Sequence, residues 1–363
     1  MSLSSSFVRI TGLVLVVVLA ACSSDDDAPS DTSAPQPEAA PARFVDIESA
    51  TFVVTSPVAG DAELFLVEGR ADTAWTRLTF SSGLDNGAEW IPGRRSVIFH
   101  SARDGEAATD LDLYLLDVTA DFADEETRHM RNADAVRLTD APGADYLPAI
   151  DPEGARVAFV SRRAEGVEVA ATSGHVYRLS IPQPYSGGPA ASPGEPEGGA
   201  GSLPLATRIT ETPINASLPP AWSPDGRALF FVRRTEEGTE LRVIPAAGSS
   251  PGSGERLILA DVNFNYTPLP SPDGEWLAYT AEGDDAARVV LMRPDGTESR
   301  ALTQSGRVYV DQWLPDGSTL IVTSWDQEAE RTDAMLLSVE DGTLERLFTG
   351  VARPSTGVAV RIR

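Results

Sequence analysis

One turn signature recurs five times along the chain, and it constrains the fold more than any other feature. The segments read Trp90-Ile91-Pro92-Gly93, Ile150-Asp151-Pro152-Glu153-Gly154, Trp222-Ser223-Pro224-Asp225-Gly226, Pro270-Ser271-Pro272-Asp273-Gly274 and Trp313-Leu314-Pro315-Asp316-Gly317. Proline presets the first corner at a φ of about −65°, aspartate bonds neighbouring backbone, and glycine accepts the positive φ that closes a tight hairpin. The prolines lie 60, 72, 48 and 43 residues apart. The last two spacings match the period of roughly 40–50 residues of propeller blades, and the longer ones contain insertions.

Each turn is followed by an apolar strand, such as Val97-Ile98-Phe99 or Leu229-Phe230-Phe231-Val232. A further strand comes next, as in Leu113-Tyr114-Leu115-Leu116, then a short closing one, as in Arg137-Leu138-Thr139. With the strand that enters the turn, each unit holds four, the blade arrangement of a propeller. A partial unit precedes the five. Phe52-Val53-Val54, Glu63-Leu64-Phe65-Leu66 and Arg77-Leu78-Thr79 supply three strands without an opening one. The C-terminal run Gly357-Val358-Ala359-Val360-Arg361-Ile362 can supply it. The expected fold is therefore all-β, a six-bladed β-propeller of four-stranded blades, its ring closed by pairing of the N- and C-terminal strands. Closure leaves only short, protected strand edges.

The Ser-Pro-Asp-Gly turns with downstream Leu-Thr strand ends resemble the repeats of the TolB, or WD-like, β-propeller family over residues 44–363. The resemblance implies the fold. TolB proteins carry an additional N-terminal α/β domain for which this chain has no room, so membership of the Tol complex is not implied.

The N-terminus reads as targeting sequence. Arg9 precedes an apolar run from Ile10 to Ala21, too short for the roughly 20 residues of a membrane-spanning helix. The run ends in Leu19-Ala20-Ala21-Cys22, which resembles the lipobox of bacterial lipoproteins. That resemblance implies cleavage after residue 21, acylation of Cys22 and a membrane anchor. Cys22 is the sole cysteine, so no intramolecular disulfide is available, and acylation removes a free thiol from an oxidising compartment. Ser23 follows it, the residue type that in this family favours the outer membrane; the domain is expected to face the periplasm, with display outside the cell as the alternative. Residues 22–43 are rich in Pro, Ala, Ser and Asp and read as a disordered tether spanning about 25 Å. The expected organisation is signal peptide 1–21, lipidated tether 22–43 and propeller 44–363.

Net charge is −25, and all 29 basic residues are arginine. This excludes the basic footprint of nucleic-acid binding and disfavours docking on anionic headgroups. Catalytic patterns are absent. Gly248-Ser249-Ser250-Pro251-Gly252 matches a nucleophile elbow in letters only, since it sits in a loop. His100, His129 and His175 show no metal-ligand spacing, so no metal or cofactor is expected. Trp90, Trp222 and Trp313 share one repeat position with Ile150 and Pro270, which points to packing between blades. The segments 121–134 and 183–203 read as surface insertions.

The residues leading into the innermost strands should gather at one mouth of the central channel. They are Asp85, Asn86 and Glu89; Asp145 and Tyr146; Asn215; Asn265 and Tyr266; and Tyr309, Asp311 and Gln312. Tyrosines among carboxylates and amides suit a binding surface. The expected function is a monomeric binding or scaffold protein with a protein or peptide partner. The alternative is a glycan-active or metal-dependent propeller enzyme, a lyase or hydrolase.

Overall fold

A computed structural model describes residues 50–56, 62–69, 75–105, 110–118, 135–163, 173–182, 203–260, 264, 266–283, 286–328, 331–349 and 358–361. Cys22 with the whole of 1–43, His129, Asn265, the insertion 121–134 and most of 183–203 lie outside these.

The described residues form twenty-five strands and no helix. They group into six units. In the first, β1 (Thr51–Ser56), β2 (Glu63–Glu68) and β3 (Thr76–Arg77) are joined by β25 (Val358–Arg361) on the far side of β1. β1 and β25 run antiparallel, with Thr51 opposite Arg361 and Val54 opposite Val358. The second comprises β4 (Asp85–Trp90), β5 (Ser96–Ser101), β6 (Asp112–Asp117) and β7 (Val136–Arg137). The third comprises β8 (Asp145–Ile150), β9 (Arg156–Ser161), β10 (Ser173–Ser180) and β11 (Thr207–Arg208), with β12 (Ile214–Asn215) pairing the start of β10. β13 (Ala221–Trp222), β14 (Ala228–Arg234), β15 (Thr239–Pro245) and β16 (Arg256–Leu259) make the fourth. β17 (Leu269–Pro270), β18 (Leu277–Glu282), β19 (Ala287–Met292) and β20 (Ser299–Ala301) make the fifth. The sixth is β21 (Arg307–Trp313), β22 (Thr319–Asp326), β23 (Arg331–Ser338) and β24 (Leu344–Thr349), linked to the fifth by one parallel bridge. The innermost strands β13 and β17 are only two residues long. Pro219, Pro220, Pro268 and Pro270 stand in or just before them, and proline cannot donate to a strand ladder.

The second strand of each blade explains the apolar runs in the sequence. β1 is buried at every residue, and β5 and β9 at all but their first. A strand covered on both faces has no reason to alternate polar and apolar residues. Its cover comes from neighbouring blades. Leu64 of the first blade packs with Phe99 and Tyr114 of the second. Ile98 of the second packs with Phe159 of the third, and the series continues around the units. A sixth core joins Phe52, Val54 and Val67 of the first blade to Ile321, Leu336 and Leu347 of the sixth. Trp90, Trp222 and Trp313 all sit in these inter-blade cores.

The two sequence signatures have clear local causes. In the fourth blade the Gly226 N–H bonds the Ser223 carbonyl at 2.8 Å, and Gly226 has a φ of +66°. The Ser223 hydroxyl donates to Asp225 and accepts the Ala228 N–H, while Asp225 accepts the Arg227 N–H. Ser271 and Asp273 repeat this set in the fifth blade. The Leu-Thr ends are also functional parts of the sheet. The N–H groups of Leu64, Leu113, Val176 and Val289 donate to the hydroxyls of Thr79, Thr139, Thr210 and Thr303 at 2.9 to 3.0 Å. A short outer strand is thereby pinned to its neighbour beyond its few ladder bonds.

The core between the first and sixth blades makes a direct prediction. Phe52→Ala should cost about 3–5 kcal/mol of unfolding free energy in urea melts, as for any large core truncation. A loss under about 1 kcal/mol would show that these two blades do not share a core.

Candidate binding site in the central channel

The innermost strands enclose a cavity of about 420 Å³. Its walls come from the second halves of these strands and from the turns that follow, including Pro92, Pro152, Pro224 and Pro272. These turns crowd one another. A Cβ added at Gly154 would lie 2.8 Å from the Pro92 carbonyl oxygen of the preceding blade.

Backbone bulges set what the walls present. β4 is irregular between Asn86 and Glu89, β8 between Tyr146 and Ala149, and β21 between Val310 and Gln312. At the first bulge Gly87 takes a φ of +64°; at the second, Leu147 takes +53°. A bulky residue in the left-handed region is strained, by about 1–3 kcal/mol. An extra residue interrupts the two-residue alternation and re-aims the side chains beyond it.

The cavity has two unlike walls. Blades three to five contribute Pro148, Ala149, Pro219, Pro220, Ala221, Leu269 and Pro270, with Trp222 behind them. The Trp222 indole N–H is bonded to the Ala149 carbonyl, so it is not offered to a ligand. Blades two and six contribute Glu89, Asp311 and Gln312. The first blade stands between them in the ring, its strand β25 lying beside both β4 and β21.

The acids of this second wall are unusual. The Asp311 Oδ2 atom is buried and has no hydrogen-bond partner. Burial pushes the Asp311 carboxyl up to about 8, opposed in part by the nearby Thr323 hydroxyl, and pushes Glu89 up to about 7. Both keep some surface open to the lumen while protein surrounds them on other sides. Thr267, on the fifth-blade side of the cavity, has a buried hydroxyl without a partner.

The sequence-derived set divides in the structure. Glu89, Tyr266, Asp311 and Gln312 line the cavity. Asp85 and Asp145 do not; they are buried in ion pairs with Arg103 and Arg163, supported by Ser81 and Ser161. The Asn86 side chain accepts the Gly87 N–H at the bulge. Asn215 is buried on β12 and accepts the Ser217 N–H. Tyr309 packs edge-on against Tyr266 at 5.9 Å, and Tyr146 against His100 at 6.2 Å. Burial lowers the His100 imidazole to about 4, so it is neutral at physiological pH. Asp85, Asn86, Glu89, Asp145, Tyr146, Tyr309, Asp311 and Gln312, which the sequence places in segments leading into the innermost strands, lie on those strands. The proline wall was not anticipated. Its signal was Pro148 and Pro220, each two residues before the Ile150 and Trp222 position of the repeat, with Pro270 at that position itself in the fifth blade.

No protein-family model matches the chain. Among solved structures it is similar to TolB from Acinetobacter baumannii, with a TM-score of 0.58 at 14% identity over 87% of this chain and 67% of that one. A protein assigned as TolB from Agrobacterium tumefaciens gives 0.53 at 16% identity, over 86% of this chain and 98% of that one. A puromycin-hydrolysing peptidase of Mycobacterium tuberculosis gives 0.51 at 12% identity, over 84% of this chain but 45% of that one. At such identities the likeness establishes the fold, a TolB-like propeller.

The channel acids predict a pH dependence. Both bind protons more tightly in the folded protein than in the unfolded chain, whose values lie near 3.8 and 4.5. Stability therefore falls as pH rises from that range through about 7 and about 8, then levels off. Asp311→Asn removes one of the two contributions. Its Tm relative to wild type should rise between about pH 5 and about pH 9. An unchanged difference would remove Asp311 from this role.

Proposed function

We propose that this chain is an envelope lipoprotein whose propeller binds a protein or peptide partner through the central channel. The observation that carries the reading is the channel itself, a preformed cavity with an apolar proline wall facing carboxylate and amide groups. Ligand sites are concave, mostly apolar and furnished with a few placed polar groups. Its volume suits a side chain and the backbone next to it rather than a folded domain, so a partner would insert a segment. The lipobox-like Leu19-Ala20-Ala21-Cys22 and the polar stretch to residue 43 support anchoring at the periplasmic side of the outer membrane, with the propeller held near the surface.

Two experiments test this. A photo-crosslinking residue at Tyr266, inside the channel, should trap a discrete partner in intact cells, whereas the same residue at Leu257, on an outer strand, should not. Equal trapping at both positions would move the site off the channel. Cys22→Ala should abolish incorporation of labelled palmitate and release the protein from the membrane fraction. A variant that stays membrane-bound would show that the anchor lies elsewhere.

A further inference from the structure

The protein follows one rule for its buried acids. Among the described residues, Glu63, Asp85, Asp112, Asp145, Asp151 and Asp333 have buried carboxylates, and each meets an arginine. Leaving a carboxylate in a low-dielectric site without a counter-charge is costly, and arginine answers it with a planar fork of donors. Asp311 and Glu89 stand outside the rule. They line one cavity, burial is the main influence on both, and the Asp311 Oδ2 atom has no donor. In the free protein a proton meets that need near neutral pH, and a bound cation carrying several N–H donors can take its place.

We propose that the channel takes the side chain of an arginine from a basic peptide segment, its guanidinium held by Asp311 and Glu89 and its stem laid along the proline wall. This deepens the peptide-binding reading above and rests on it. The opposite wall is what favours a side chain over a bare ion. Pro148, Pro220, Ala221 and Pro270 offer apolar surface to the methylene stem, as long cationic side chains prefer. Gln312 lines the same wall as the acids. A net charge of −25 draws a basic segment toward the propeller before any contact forms. Guanidinium is preferred to ammonium because its five donors form a rigid fork that meets carboxylates bidentately and because it is the more weakly hydrated of the two cations.

The test uses the full-length lipoprotein in detergent and two small probes, N-acetyl-arginine amide and its uncharged isostere N-acetyl-citrulline amide. Calorimetric or NMR titration should show the arginine probe binding at least about tenfold more tightly, the range for hydrogen bonds to charged groups. Asp311→Asn and Glu89→Gln should each abolish most of that preference while keeping the folded circular-dichroism spectrum. Asp295→Asn, which removes an exposed charge in the turn between β19 and β20 and outside the channel lining, should leave it unchanged and so separates local recognition from net charge. Equal binding of both probes, no binding at millimolar concentration, or indifference to Asp311→Asn overturns the proposal. So does calcium binding at the same two acids that excludes the probe. If Tyr266 still crosslinks a partner while the arginine probe fails, the channel remains a peptide site and only its cationic specificity falls. If both fail, the channel reading falls with it.

Discussion

The packing of each blade's second strand against two neighbours is the constraint from which the rest follows. β1, β5 and β9 are buried along nearly their whole length, and no single four-stranded blade can supply cover for both faces of such a strand. Each blade is therefore unstable by itself, and an open row of blades would need capped ends. Joining Phe52 and Val54 to Ile321 and Leu336 removes that need. The same closure sets a kinetic demand. Thr51 pairs with Arg361, so the last contact formed spans almost the entire propeller. Loop-closure entropy must be met before that contact contributes, which places ring closure late in folding.

Electrostatics inside the blades serves the same end. Arg103 lies between Asp85 and the rings of Phe99 and Tyr114, each centroid 5.0 Å away. Arg163 repeats this in the next blade between Asp145 and the rings of Phe159 and Tyr177. Burial raises Asp145 despite its arginine, as it does Glu63 and Asp112. These pairs are thus weak sources of net stability. Their contribution is to register, since an innermost strand that slipped would strand a buried charge.

The strands and their number were legible because they follow from local chemistry. The five turns, the apolar runs and the Leu-Thr ends each state a backbone requirement that the sequence must meet residue by residue. The hybrid first blade was legible for a related reason: three strands lacked a fourth, and one unused strand remained. The channel was only half legible. In an unbroken strand Asp85 and Glu89 would share a face, because they are four residues apart. The bulge between Asn86 and Glu89 breaks that alternation, so Asp85 turns into the blade and Glu89 lines the lumen. Gly87 hints at such a bulge, but Leu147 marks the equivalent place in the third blade, and no local rule assigns a left-handed leucine. Tyrosine was a poor guide as well, since Tyr146 and Tyr309 are engaged with His100 and Tyr266.

Leu147 shows how the channel wall and the core are coupled. Glycine would adopt its backbone conformation without strain, as Gly87 does one blade earlier. Yet the Leu147 side chain is buried beside Trp222, Val160 and Phe231 in the core between the third and fourth blades. The strain is thus offset by packing, and the residue next to it, Pro148, is fixed in φ by its ring and faces the lumen. Trp222 carries the same logic from the other blade, with its indole N–H held by the Ala149 carbonyl. A wall built this way cannot yield to a ligand without disturbing the inter-blade core. The ordering cost of the site is met during folding, and a bound segment loses little to reorganisation of the protein. On the facing wall burial keeps much of Asp311 and Glu89 protonated near neutral pH, so a cationic group bound there must displace protons, and its affinity rises with pH.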